Sequence, residues 1–330
     1  MSEGRDGSFP GRREFISLGI GAFVVGAIPF AARNRIRLVR RSVPVMGTIA
    51  ELAVVHDDEA YAHKAIDAAV AELRWVDRTM TRFNDDSDVG RANLSAVQEV
   101  VPVAAETALV LEESLKWAEV SGGRFDPCLA GAVVLWDVTN RDAPPSDRDV
   151  RRFAGKGLYR ALEVERRGPL AAVTMHQEEM GVDLGGIAKG YGVDRAVEAL
   201  RSWGIRNALV NAGGDLYAMG SSDDNDPWKV GIRSPVDPSK LAGTIELQDR
   251  AVATSGDYEQ YFEHRGRRYH HLLDPESGEP RASLVHSVTV AAESCMVADA
   301  GATTVFGTDA EEARGLLVRG SAGAELVHLT

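Results

Sequence analysis

Cysteine is nearly absent. Cys128 and Cys295 are the two in 330 residues, too few for a disulfide scaffold and without the spacing of a zinc site. They leave either one bridge or two inert core thiols. Basic charge is also short, with 37 Lys and Arg against 49 Asp and Glu and a net charge of −12. That balance argues against a general affinity for nucleic acid but leaves room for a small anionic ligand. No internal repeat or low-complexity tract occurs, and the clearest loops, 139–149 and 221–227, are too short to be interdomain linkers. Both standard phosphate fingerprints, G-x-x-x-x-G-K-[ST] and G-x-G-x-x-G, are missing. An apolar fraction of 44% and a charged fraction of 26% remain, the composition of a soluble globular chain and neither a disordered nor a multi-span one.

One apolar run does stand out. Leu18 to Ala32 follows Gly11-Arg12-Arg13-Glu14-Phe15-Ile16-Ser17, the layout of a charged n-region and an apolar h-region. The arginine pair resembles a twin-arginine export signal. Residues 1–35 are therefore expected to be a leader, removed or kept as an N-terminal membrane anchor, with the folded domain over 36–330. Export places the domain at the extracytoplasmic face of the membrane or in the periplasm.

Periodicity organises the rest. Strands are expected at Ile36 to Val43 and Ile49 to His56, around a turn at Pro44 to Gly47. Ala62, Ile66, Ala69, Leu73 and Val76 define an amphipathic helix over 59–81, capped by Asp57 or Asp58. A second helix is expected from Glu106 to Val120, and further helices at Gly192 to Trp203 and Cys295 to Phe306. Between them, strands such as Asn207 to Asn211, Trp228 to Arg233, Thr244 to Leu247 and His286 to Ala292 run consecutively. That order predicts an α+β fold, not a doubly wound sheet.

The residues that could carry chemistry fall in three places. VDLGGIAKGYGVD, residues 182–194, puts four glycines and Lys189 at the start of a helix, where phosphate oxygens are favoured or a tight turn is needed. Asp299 and Thr303 are four apart on the expected helix 295–306, so a carboxylate and a hydroxyl share a face; that is half of a magnesium site, or a local cap. His270 and His271 point to opposite sides of a strand, so one of them can enter a given site. The glycine-rich run Asn211 to Gly220 adds a strand exit suited to close backbone approach.

The segments DLGGIAKGY, NAGGD, ATSGDY, HHLLDPESG and ADAGATT occur in the order and approximate spacing found in the ApbE family of FAD:protein FMN transferases. PVMGT at 44–48, TRFNDDSDVGRAN at 81–93 and GGRFDP at 122–127 match as well. From about residue 40 to the end the chain resembles that family. The resemblance implies a single domain of mixed, largely antiparallel sheets with packed helices, acting on FAD with Mg2+. It makes Asp183 and Lys189 FAD contacts, the Gly186 carbonyl with Asp299 and Thr303 the metal ligands, and His271 the base. Met46, Phe83, Arg124, Phe125, Asp126 and the backbone at Leu273 would line the flavin nucleotide. Arg124 and Cys128 stand where the family commonly has smaller residues.

The same resemblance implies a partner protein that accepts FMN on the threonine of a Ser/Thr-Gly-Ala-Thr motif, with release of AMP. Gly301-Ala302-Thr303 mimics the end of that motif but lies in a helical, apolar stretch, so it is not expected to be an acceptor. Two other activities use the same residues: hydrolysis of FAD to FMN and AMP, and non-catalytic binding of FAD by an exported carrier.

Overall fold

The computed structural model describes residues 15–16, 22–26, 37–168, 170–222, 226–237 and 239–330. Arg12, Arg13 and most of the apolar run 18–32 lie outside the described residues. Inside the expected leader stand two short strands, β1 (Phe15–Ile16) and β2 (Phe23–Gly26). The first long strands follow, β3 (Arg37–Val45) and β4 (Thr48–His56), joined at Met46-Gly47 with φ of 54° and 68°. Two positive φ values give the turn whose twist matches a β-hairpin.

Helix α1 (Glu59–Met80) buries Ala62, Ile66, Ala69, Leu73 and Val76 on one face, and Asp58 accepts from the Tyr61 N–H at 3.0 Å as its cap. The polar run after it contains a helix that periodicity did not reveal, α2 (Asp88–Ser95). It is held by its polar residues: Ser87 caps Gly90, and the buried Asp88 carboxylate accepts from the Ala104 N–H and the Thr107 hydroxyl. β5 (Val101–Val103), α3 (Ala105–Val120), α4 (Ala130–Trp136) and α5 (Asp147–Val150) come next. β6 (Leu162–Arg167) and β7 (Leu170–Met175) then form a small sheet with β5.

Helix α6 (Ala188–Ser202) begins four residues earlier than periodicity suggests, which brings Lys189 and Gly190 into its first turn. β8 (Asn207–Ala212), β9 (Asp215–Met219), β10 (Trp228–Arg233), β11 (Leu241–Leu247) and β12 (Arg250–Gly256) follow as consecutive strands. The hairpin β13 (Tyr261–His264) and β14 (Arg267–His270) leads to β15 (Ser287–Ala292), α7 (Cys295–Val305), α8 (Ala310–Gly320) and β16 (Glu325–Leu329). The main sheet has the order β16-β15-β12-β9-β8-β4-β3 and is antiparallel throughout, so the α+β expectation holds.

Period-two alternation gives this sheet two apolar faces. Ala208 and Val210 of β8 face the core under α1, α6 and α7, whereas Leu209 faces a second core. β10 and β11 cover that second face with Trp228, Val230, Ile232 and Leu247, and β2 pairs with β10 to add Phe23, which is fully buried. Both cysteines are buried and free. Among the described residues no helix is long and apolar enough to cross a membrane.

Candidate active site

The loop 183–187 and the first turn of α6 meet the inner face of α7. Gly190 permits it: a Cβ there would lie 2.3 Å from the Cys295 carbonyl oxygen. With that atom missing, the two helix starts exchange caps. Asp299 of α7 accepts from the Gly190 N–H at 3.0 Å, and Asp194 of α6 accepts from the Cys295 and Met296 N–H groups at 2.7 and 2.9 Å. The N–H of Gly190 is therefore spent on a carboxylate and does not serve as a phosphate cradle. A Cβ on Gly186 would lie 3.0 Å from Thr303 Oγ1, so the Gly186 backbone packs directly against the second residue of the Asp299/Thr303 pair.

Lys189 points into this junction. Its ammonium is 2.6 Å from Asp215 and 3.4 Å from Asp299. Burial works against the charge, but the two carboxylates outweigh it and hold Lys189 firmly protonated. Asp215 is 2% exposed, and burial, reinforced by Asp299, pushes its carboxyl well up while Lys189 opposes. Sequence reasoning missed Asp215. A lone aspartate after two glycines has no periodic signature, although it closes the NAGGD motif at the strand exit.

The other end of the loop carries Asp183, whose carboxylate pairs with Arg82 at 2.7 Å and accepts from the Gly185 N–H. Arg82 in turn lies over the Phe83 ring, 4.1 Å from its centroid, and Phe83 is 81% exposed. Asp183 also donates its N–H to the Pro127 carbonyl, which brings Phe125 and Asp126 alongside. Phe125 is buried, and Asp126 accepts from the Cys128 and Tyr159 N–H groups, so its carboxylate shapes this loop. Burial pushes its pKa up to about 6. Met46 donates its N–H to Asp77, and its sulfur would be 2.9 Å from a Cβ on Gly192, which seats it on α6. Leu273 is buried. Arg124 is half-buried and contacts the Phe306 carbonyl at 3.4 Å.

The two histidines do part. His270 turns inward to the Arg281 carbonyl and the edge of Phe306, while His271, close enough to Lys189 to feel its charge, has Nδ1 at 3.4 Å from the Gln260 carbonyl. Burial, aided by His270 and Lys189, pushes the His271 pKa down to about 4, so the ring is neutral at pH 7. Glu259, also missed in the sequence, is exposed as a residue, but its carboxyl turns inward toward Gly214, where burial, with the Asp299 charge, pushes its pKa up to about 7 against the pull of Lys189. Thr303 is half-buried, 3.4 Å from Ser255 Oγ, in the last turn of α7.

Asp299, Thr303 and the Gly186 backbone offer a carboxylate, a hydroxyl and a carbonyl, all hard oxygen donors. Lys189 is closer to Asp215 than to Asp299, so the Asp299 charge is not consumed by a tight ion pair. This set fits a hard divalent cation that completes its shell with water and phosphate oxygens. Fold and site together offer a place where a phosphate-bearing ligand could be held through such a cation.

Known proteins narrow the class. A match to the ApbE family spans residues 46–327. Curated relatives named FAD:protein FMN transferase include one from Vibrio cholerae, 34% identical over 80% of this chain and 80% of that protein. Another, from Treponema pallidum, is 32% identical over 86% and 83%. Among solved structures, the ApbE protein of Thermotoga maritima superposes with a TM-score of 0.78 at 30% identity, covering 88% of this chain and 93% of its own. The flavin transferase ApbE of Vibrio cholerae gives 0.73 at 32%, covering 85% and 90%. The chain belongs to the ApbE family.

Proposed function

We propose that this chain is a Mg2+-dependent FAD:protein FMN transferase that moves FMN from FAD to a threonine hydroxyl of an acceptor protein and releases AMP. The observation that carries it is the loop 183–189, which joins an exposed aromatic surface at Phe83 and Asp183 to the charged cluster of Lys189, Asp215, Asp299 and Thr303. Phe83, backed by Arg82, offers a flat face to the flavin ring. Lys189 brings a fixed positive charge to the diphosphate. A Mg2+ ion held by Asp299, Thr303 and the Gly186 carbonyl would neutralise further diphosphate charge.

The acceptor threonine Oγ attacks the phosphorus on the FMN side, and a new P–O bond forms. As it does, the bond to the bridging oxygen breaks and AMP leaves with the electron pair. His271, neutral at pH 7, takes the threonine proton. An acceptor bearing a Ser/Thr-Gly-Ala-Thr motif fits this chemistry. A twin-arginine-type leader over residues 1–35 would carry the reaction to the extracytoplasmic face of the membrane or the periplasm, which cell fractionation checks.

Purified protein with FAD, Mg2+ and a motif-bearing acceptor should yield a covalently fluorescent acceptor band and one AMP per FMN transferred. FMN and AMP formed equally well without acceptor would identify a hydrolase instead. Asp299→Ala should abolish metal-dependent transfer while the circular dichroism spectrum is kept; undiminished transfer would remove Asp299 from the metal site.

A further inference from the structure

Both ends of α7 are held by side chains from elsewhere in the chain. Asp194 holds its start, as described, and Arg281 holds its end. Arg281 is 8% exposed. One terminal nitrogen of its guanidinium donates to the Thr303 and Phe306 carbonyls at 2.7 and 2.9 Å; the other donates to the Arg124 carbonyl at 2.5 Å, and Nε donates to the Leu273 carbonyl at 3.1 Å. The helix-end carbonyls are groups that need an outside donor. Burial and the neighbouring Arg124 lower the pKa of Arg281 to about 10, with Asp274 pulling the other way, so the guanidinium stays charged at neutral pH.

Four carbonyls from three separate segments thus share one guanidinium. Each segment carries a residue assigned above to the ligand: Thr303 on α7, the Arg124 to Asp126 run, and Leu273. The carbonyl of Arg281 itself accepts from His270 Nε2 at 3.0 Å, next to the proposed base. We infer that Arg281 is a positioning residue whose guanidinium fork sets the spacing between the metal-bearing helix and the two loops that line the flavin nucleotide. This rests on the reading of the site as an FAD site. The fork geometry is essential, because a lysine ammonium keeps the charge but cannot span donors to three segments.

The test uses the full chain as wild type, Arg281→Lys and Arg281→Gln, each checked for fold by circular dichroism and thermal melting. FAD binding is titrated in Mg2+ by flavin fluorescence, and transfer is assayed over a range of FAD. Both variants should weaken FAD binding and raise the KM for FAD on the order of tenfold or more, the loss expected when charged hydrogen bonds are broken. The kcat at saturating FAD should change much less. Folded variants with a lower melting temperature but an unchanged KM for FAD would overturn the positioning role, as would failure of both variants to fold, which would make Arg281 a stability residue. A wild-type chain that does not bind FAD would overturn the site reading itself, a separate outcome visible in the control.

Discussion

At the scale of single residues, Lys189 shows how a buried charge is made tolerable. An isolated ammonium would lose its proton on burial, but Asp215 at 2.6 Å and Asp299 at 3.4 Å keep it charged. His271 is the opposite case, since burial beside cations keeps its ring neutral, with a pKa near 4 against the ordinary 6.5. A base must be unprotonated to act. An ordinary histidine would lose half its activity near pH 6.5, whereas His271 should add no break of its own to kcat/KM as pH falls through 6 towards 5, so a step between 6 and 7 belongs to Asp126 or Glu259. A pH profile that breaks near 6.5 and keeps its break in His271→Gln would assign the proton to another group. The lysine, the Asp299/Thr303 pair and His271 were visible in the sequence because each stood in a motif. Asp215 and Arg82 stand in matching motifs too, NAGGD and TRFNDDSDVGRAN, but what makes them and Arg281 matter is contact with residues far along the chain, and spacing does not encode that.

At the scale of elements, legibility followed burial. Helix α1 was legible because five apolar residues repeat at helical spacing on a face that packs on the sheet. Helix α2 was not, because its stabilising groups are Ser87 and Asp88, polar residues that read equally well as loop. The pairing of α6 with α7 depends on Gly190, and here a glycine is required by close approach: all three nearest atoms to a Cβ are backbone, at 2.3, 2.6 and 2.8 Å. Gly190→Ala gains helix propensity of up to about 1 kcal/mol, but backbone cannot rotate away as a side chain can, and overpacking typically costs about 1–3 kcal/mol. The variant should melt lower and lose transfer activity together, since the same shift moves Asp299. Calorimetry that finds it equally or more stable would show that the helices have slack.

At the scale of the whole molecule, the main sheet separates two jobs. Its front holds the helices that build the site, and its back holds the second core, to which the N-terminal segment lends Phe23. Replacing a fully buried phenylalanine with alanine commonly costs about 3–5 kcal/mol, so Phe23→Ala should lower the melting temperature while leaving the KM for FAD unchanged. A melting curve that overlays the wild type would mean that the second core stands without this segment.

The pairing of Phe23, Val24 and Val25 with β10 also bears on how the protein behaves in a test tube. A chain shortened to begin at Arg37 leaves Ile232, Gly231 and Val230 with a free row of N–H and C=O groups beside an apolar surface, the situation in which strands from different molecules zip together. Such a preparation should form dimers or larger species as its concentration rises, visible by light scattering, and adding a peptide of residues 22–26 should disperse them. The segment that reads as an address label would then also be the seal that keeps one copy from sticking to the next.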